Sequence, residues 1–186
     1  MLLICTAGCA AERHPIPPNA EHSEAAVVAL LQAVASEWSW HDNGRVRSVS
    51  LVGDAISDDH VLALHDLTEL EELQLLGAIT DDMLKEVAAL PKLSALDVQF
   101  TAITDEGLRY LSRAPTLTLV VVTGTSITDE GLSHLADLRT LKSVFAEKTS
   151  ISETGLMRFH DRRPDCRIQH DKGVVAAEPS DEREPG

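Results

Sequence analysis

The hexapeptide ITDEGL occurs twice in this chain, starting at Ile103 and again at Ile127, 24 residues apart. A fixed period in the twenties constrains the fold more than any other feature, because it marks a stack of similar coils rather than a globule with one closed core. The register extends outward from these two copies. Ile79 precedes Ile103 by 24 residues, Ile151 follows Ile127 by 24, and Ile56 precedes Ile79 by 23. Five residues after these isoleucines stand Val61, Leu84, Leu108, Leu132 and Leu156; eight after stand Leu64, Val87, Leu111, Leu135 and Phe159. A third column, Leu67, Leu90, Ala114 and Leu138, ends at Arg162. Seven residues before the isoleucine come Val49, Leu96, Val120 and Val144, with Leu73 six before Ile79 because that copy is one residue shorter.

Each copy combines two periodicities. Around Leu73–Leu75, Leu96–Val98 and Val120–Val122 aliphatic residues alternate, which predicts a strand. The i, i+3 spacing of Leu108 with Leu111, and of Leu132 with Leu135, predicts a short helix on the opposite side of the coil. A single coil buries too little apolar surface to offset the ordering of its own chain. The array folds only because each coil covers its neighbours.

The pattern L-x-x-L-x-L/V-x-x-T-x-I-T-D-x-G-L is carried by Leu93, Leu96, Val98, Thr101, Ile103, Thr104, Asp105, Gly107 and Leu108, and it resembles a leucine-rich repeat. It is most similar to the bacterial T-x-I-T-D-x-G-L variant and close to the cysteine-containing subclass of F-box proteins. The resemblance covers residues 45–170 and implies an α/β fold: a right-handed solenoid with parallel strands on the concave side and short helices on the convex side. The family's ladder position, usually Asn, is Thr101, Thr125 and Thr149 here, and Asp54 in the first copy. The resemblance also implies that strand residues facing away from the core form a concave binding surface. Those are Ser48, Ser50 and Val52; Glu72, Gln74 and Leu76; Ala95, Asp97 and Gln99; Leu119, Val121 and Thr123; and Ser143, Phe145 and Glu147. Leu119, Val121 and Phe145 lie on neighbouring strands, about 4.8 Å apart, and are expected to form one exposed apolar patch.

The flanks lack the repeat. Residues 1–20 begin with an apolar run ending in Thr6-Ala7-Gly8-Cys9, which resembles a bacterial lipoprotein signal with Cys9 as the lipidated first residue. No 18-residue apolar run is present, so a spanning helix is not expected. Residues 21–44 are expected to form an N-terminal capping helix and a turn. Val27, Leu30, Leu31, Val34 and Trp38 make one helical stripe over Glu21–Trp38, Ser23 is the expected N-cap, and Glu24 sits in the first turn. Trp38 and Trp40 are expected to seal the first coil. At the other end Pro164 breaks the last helix, Cys166-Arg167-Ile168 is expected as a final partial strand with Cys166 buried, and residues 171–186 are expected to be a disordered acidic tail.

Little in the sequence points to chemistry. The acidic pairs Asp58-Asp59, Asp81-Asp82, Asp105-Glu106 and Asp129-Glu130 fall in the first turn of each helix, where the helix dipole favours negative charge. Thr80, Thr104 and Thr128 precede the last three pairs as expected N-caps. A linear rail of carboxylates does not converge as a calcium site requires. The eight histidines are scattered, and the one adjacent His-Asp pair of interest, His65-Asp66, lacks a nucleophile at any defensible spacing. No phosphate loop, dinucleotide fingerprint or metal-ligand motif occurs, so neither cofactor nor metal is expected. A formal charge of −14 disfavours nucleic acid and anionic membrane as partners.

The expectation is therefore a non-catalytic protein–protein interaction module that binds a protein partner through its concave face. Membrane association would come only through a lipid on Cys9, which would place the chain at the cell envelope; otherwise it would be cytoplasmic. Two alternatives stay open: a substrate-recruiting adaptor of the ubiquitin-ligase type, following the F-box resemblance, and a small atypical hydrolase built on His65-Asp66.

Overall fold

The computed structural model describes residues 22–175. They form one eight-stranded sheet with strands in sequence order, β1 Ala35–Trp40, β2 Val46–Gly53, β3 Glu72–Gly77, β4 Ala95–Asp97, β5 Leu119–Val121, β6 Ser143–Phe145, β7 Arg167–His170 and β8 Gly173–Val175. Strands β2 to β7 are all parallel. The two outer strands, β1 and β8, run antiparallel to their neighbours. Helix α1 is His22–Leu31, and the helices that return the chain between parallel strands are α2 Asp58–Ala63, α3 Asp81–Val87, α4 Asp105–Leu111, α5 Asp129–Leu135 and α6 Glu153–Arg162. This is the α/β solenoid that the period predicts.

The core is the interior of the coil. Val49, Leu73, Leu96, Val120, Val144 and Ile168 lie side by side in register across the sheet, and all are buried. The isoleucine column Ile56, Ile79, Ile103, Ile127 and Ile151 and the helix column Val61, Leu84, Leu108, Leu132 and Leu156 close the coil from the other side, also buried. Stacking aliphatic residues of similar size at strand spacing lets each coil bury the faces of the next with little mismatch.

The T-D-x-G segment has a packing cause. Thr80, Thr104, Thr128 and Ser152 each cap their own helix by accepting a backbone N–H of its first turn. The aspartate after the cap serves the next coil. Asp81 accepts from the Thr104 N–H at 2.8 Å and hydroxyl at 2.7 Å, Asp105 from Thr128 at 2.8 and 2.6 Å, and Asp129 from Ser152 at 2.7 and 2.6 Å. These carboxylates lie against glycine. A Cβ on Gly107 would stand 2.6 Å from Asp81 Oδ1, and Cβ atoms on Gly131 and Gly155 would come closer still to Asp105 and Asp129. Helix α3 carries Met83 where the later helices carry glycine, and no bond from Thr80 to Asp58 is found among the described residues. The expected ladder position behaves differently from a ladder. The hydroxyls of Thr101, Thr125 and Thr149 each donate to the carbonyl three residues back in their own coil, at 2.6 to 2.8 Å.

The ends depart from the sequence expectation. The helix expected over Glu21–Trp38 stops at Leu31 and already includes Ser23. Val34 follows it, and Ala35–Trp40 is a strand paired antiparallel with β2. Aromatic residues alternating with Glu37 and Ser39 favour a strand, and the helical spacing of Trp38 is a coincidence of periods. Trp38 and Trp40, opposite Val49 and Val46, stack with ring centroids 6.1 Å apart and cover the end of the core. Within α1 the buried face is Glu24, Val27, Val28 and Leu31, while Leu30 is exposed. Glu24 is fully buried and accepts from the Val46 N–H at 3.1 Å and from Arg45 at 3.4 Å.

At the far end, residues 173–175 continue the sheet where the sequence predicted the start of a disordered tail; residues 176–186, with residues 1–21 and Cys9, lie outside the described residues. Cys166 is buried as expected, and burial pushes its thiol up to about 11. Where the apolar column stops, Arg163 takes its place. Arg163 is 1% exposed and donates to the carbonyls of Leu138 and Leu141 and, at 2.9 Å, to both oxygens of Asp165. That guanidinium holds the Asp165 carboxyl well below the usual carboxylate range.

Candidate interaction surface

The sheet's outer face carries the predicted binding residues in three rows. The central row runs Ser50, Gln74, Asp97, Val121, Phe145 and Gln169 in strand register. Its first half is one hydrogen-bonded chain. Ser36 donates to Ser50 Oγ at 3.1 Å, Ser50 to Gln74 Oε1 at 2.6 Å, and Gln74 to Asp97 Oδ2 at 2.8 Å. Gln99 donates its backbone N–H to Asp97 Oδ1 at 3.0 Å and its amide to Oδ2 at 3.1 Å. The next two positions, Val121 and Phe145, are apolar before the row ends at Gln169. Beside it, Glu147 accepts from Gln169 at 2.7 Å. A second row holds Ser48, Glu72, Ala95, Leu119, Ser143 and Arg167, with Glu72 bonded to Arg47 at 3.3 Å. Val52, 42% exposed, and half-buried Leu76 and Thr123 occupy the third.

The apolar patch needs one correction. Leu119 and Phe145 are half-buried, but Val121 is only 8% exposed. It is a short side chain flanked in register by Asp97 and Phe145, and at strand spacing its larger neighbours shield it. Val121 is a floor residue, not an exposed anchor.

One exposed aromatic escaped the sequence reading. Gly53, Gly77, Phe100, Gly124 and Lys148 occupy the same turn after successive strands, and every one has positive φ. Phe100 at φ 54° and Lys148 at φ 55° adopt a conformation that costs bulky side chains on the order of 1 kcal/mol. Packing offsets the strain. The Phe100 ring lies where a side chain on Gly124 would be, and Lys148 Nζ stands 5.7 Å from the ring centroid. Phe100 remains 62% exposed at the rim of the face. The available signal was its place in a column otherwise rich in glycine.

The other candidate groups form no catalytic arrangement among the described residues. His65 Nε2 is buried 3.5 Å from Glu86 of the next coil, with no hydrogen bond to it or to Asp66. His60 Nδ1 accepts from the Ser57 N–H at 3.1 Å and so completes the cap of α2. No group of three or more His, Cys, Asp or Glu is placed to hold a metal ion among the described residues. A shallow cleft of about 350 Å³ between α5 and α6, lined by Gly155, Phe159, Arg158 and Asp161, lies on the helical side. No described helix is long and apolar enough to cross a membrane.

Fold and surface together define a leucine-rich-repeat solenoid. Residues 89–112 and 113–136 each match the leucine-rich repeat family model. Among solved structures, the chain is similar to internalin C2 of Listeria monocytogenes, at 21% identity and a TM-score of 0.46 over 59% of this chain and 45% of that one. It is also similar to an internalin, inlF, of the same organism, at 17% identity and a TM-score of 0.39 over 59% of this chain and 37% of that one. The chain thus spans less than half the length of either structure. No curated protein matches the sequence.

Proposed function

We propose that this chain is a non-catalytic protein–protein interaction module that binds a protein partner through the concave strand face. The observation that carries the reading is Leu119 and Phe145, diagonal neighbours on adjacent strands, apolar and half-accessible, on a sheet whose polar residues are already fixed by one another. A preordered surface loses little side-chain freedom on binding, and aromatic anchors beside rigid polar groups are the usual energetic centres of interfaces. Thr123 and Gln99 lie next to this centre and Val52 and Leu76 continue the face two to three strands away, with Glu72, Gln74, Asp97 and Glu147 as its polar surroundings. Tethering to the cell envelope through a lipid on Cys9 belongs to the same proposal and is independent of the binding surface.

The test is crosslinking in the native cell, with wild type compared with Leu119→Ser/Phe145→Ser after both are shown to melt alike. A partner captured by wild type and lost from the double variant supports the concave face; equal capture by both moves binding elsewhere. Val121→Asp is a poor probe, because a charge at a buried position destabilises the fold itself. Metabolic labelling with a radioactive fatty acid, lost in Cys9→Ser, tests the tether.

A further inference from the structure

The concave face holds two carboxylates, Asp97 and Glu147, that no cation among the described residues neutralises. Asp97 is bonded to Gln74 and Gln99, and Glu147 to Gln169, all by neutral donors. Neither carboxylate has a cation within ion-pair distance among the described residues. The nearby cations have other roles. Arg47 pairs with Glu71 and Glu72, Lys148 covers the Phe100 ring, Lys172 donates to the Ile151 carbonyl, and Arg167 stands in the far row beside Ser143. Amide partners orient a carboxylate without cancelling its charge, so both remain free to pair with an incoming cation. Asp97 lies on β4 beside Val121, and Glu147 lies two residues beyond Phe145 where the chain leaves β6, on the order of 10 Å away at sheet spacing.

We propose that the concave face takes a basic segment of its protein partner, in which Lys or Arg side chains meet Asp97 and Glu147 while a neighbouring apolar residue packs on Phe145 and Leu119. This rests on the interaction-module reading and adds the chemistry of the partner. Charge complementarity selects that occupant. A second copy of the chain would bring another −14, and the chain's own C-terminal residues carry Glu178, Asp181, Glu182 and Glu184 against one Arg183. Both would be repelled.

The experiment is selection from a displayed library of random 12-residue peptides on purified wild type. The selected peptides are then measured by fluorescence polarisation against wild type, Asp97→Asn/Glu147→Gln and Phe145→Ser, each checked for an unchanged circular-dichroism melt. The expected result is enrichment of Lys and Arg near an apolar residue. Affinity should fall about tenfold or more in Asp97→Asn/Glu147→Gln and fall steeply with salt. Peptides without cationic residues that still lose binding in Phe145→Ser would overturn the basic partner and leave the concave module standing. Failure to select any peptide sensitive to Phe145→Ser would overturn both.

Discussion

At the scale of single residues, the repeat motif is a two-coil device. The glycine of ITDEGL, and of ISETGL in the last coil, does not serve a turn: Gly107, Gly131 and Gly155 clear space for the aspartate of the preceding coil, which binds the next N-cap through both oxygens. The two positions should therefore be energetically coupled. Gly131→Ala alone is expected to cost about 1–3 kcal/mol, because its Cβ collides with Asp105. Asp105→Ala alone should cost about 1–2 kcal/mol for the two lost hydrogen bonds. With Asp105 already replaced, Gly131→Ala should cost well under its single-variant value, because only the 3.0 Å contact of the new Cβ with Ile127 Cγ2 then stands against the gain of about 1 kcal/mol from alanine as the better helix former. Chemical denaturation of the four proteins of this cycle checks it, and additive costs would refute the coupling. The sequence displayed both residues. It could not show that they meet, because they lie in successive coils and their contact depends on how the coils stack.

At the scale of elements, the C-terminal hairpin of β7 and β8 carries a pH response. His170 is 5% exposed, its Nδ1 accepts from the Lys172 N–H at 3.2 Å, and its Nε2 has no hydrogen-bond partner among the described residues. Burial lowers its pKa, with Asp171 and Glu147 opposing and Lys172 adding to the shift. The folded value lies below the unfolded one, so the unfolded chain takes up the proton first. Stability is thus full above about 6.5, the ordinary histidine value, and falls as pH drops through it. Asp129, held down by its bonds from Ser152, and Asp165, held down by Arg163, act lower. Their stabilisation is present above about 3.9 and is lost as pH falls through their depressed folded values, with Asp165 contributing less because it is half exposed. Melting temperature between pH 7 and 5 should fall less in His170→Leu than in wild type. Parallel curves would remove His170 as the cause.

At the scale of the whole molecule, stability is a sum over neighbouring coils with a cap at each end. Glu24 pins the first cap through the Val46 N–H and Arg45, and Arg163 ties the last coil to the one before it. Glu24→Ala leaves buried groups unpaired and should cost about 3 kcal/mol. In a solenoid that loss should stay local. Hydrogen exchange is expected to accelerate in α1, β1 and β2, while residues 89–136 keep their wild-type protection; uniform acceleration would show a single global unit instead. The sequence by itself determined the coil, because a 24-residue apolar period admits few ways to be buried, and it placed the strands, helices and threonine caps within that coil. Only the tertiary structure decided that Ala35–Trp40 is a strand, that Glu24 and Arg163 are buried, and that Val121 is a floor residue while Phe100 stands exposed. The physical reason is the same in each case. The repeat reports what a residue meets in its own coil and in its copies, whereas the ends and the outer face are set by neighbours that have no counterpart one period away.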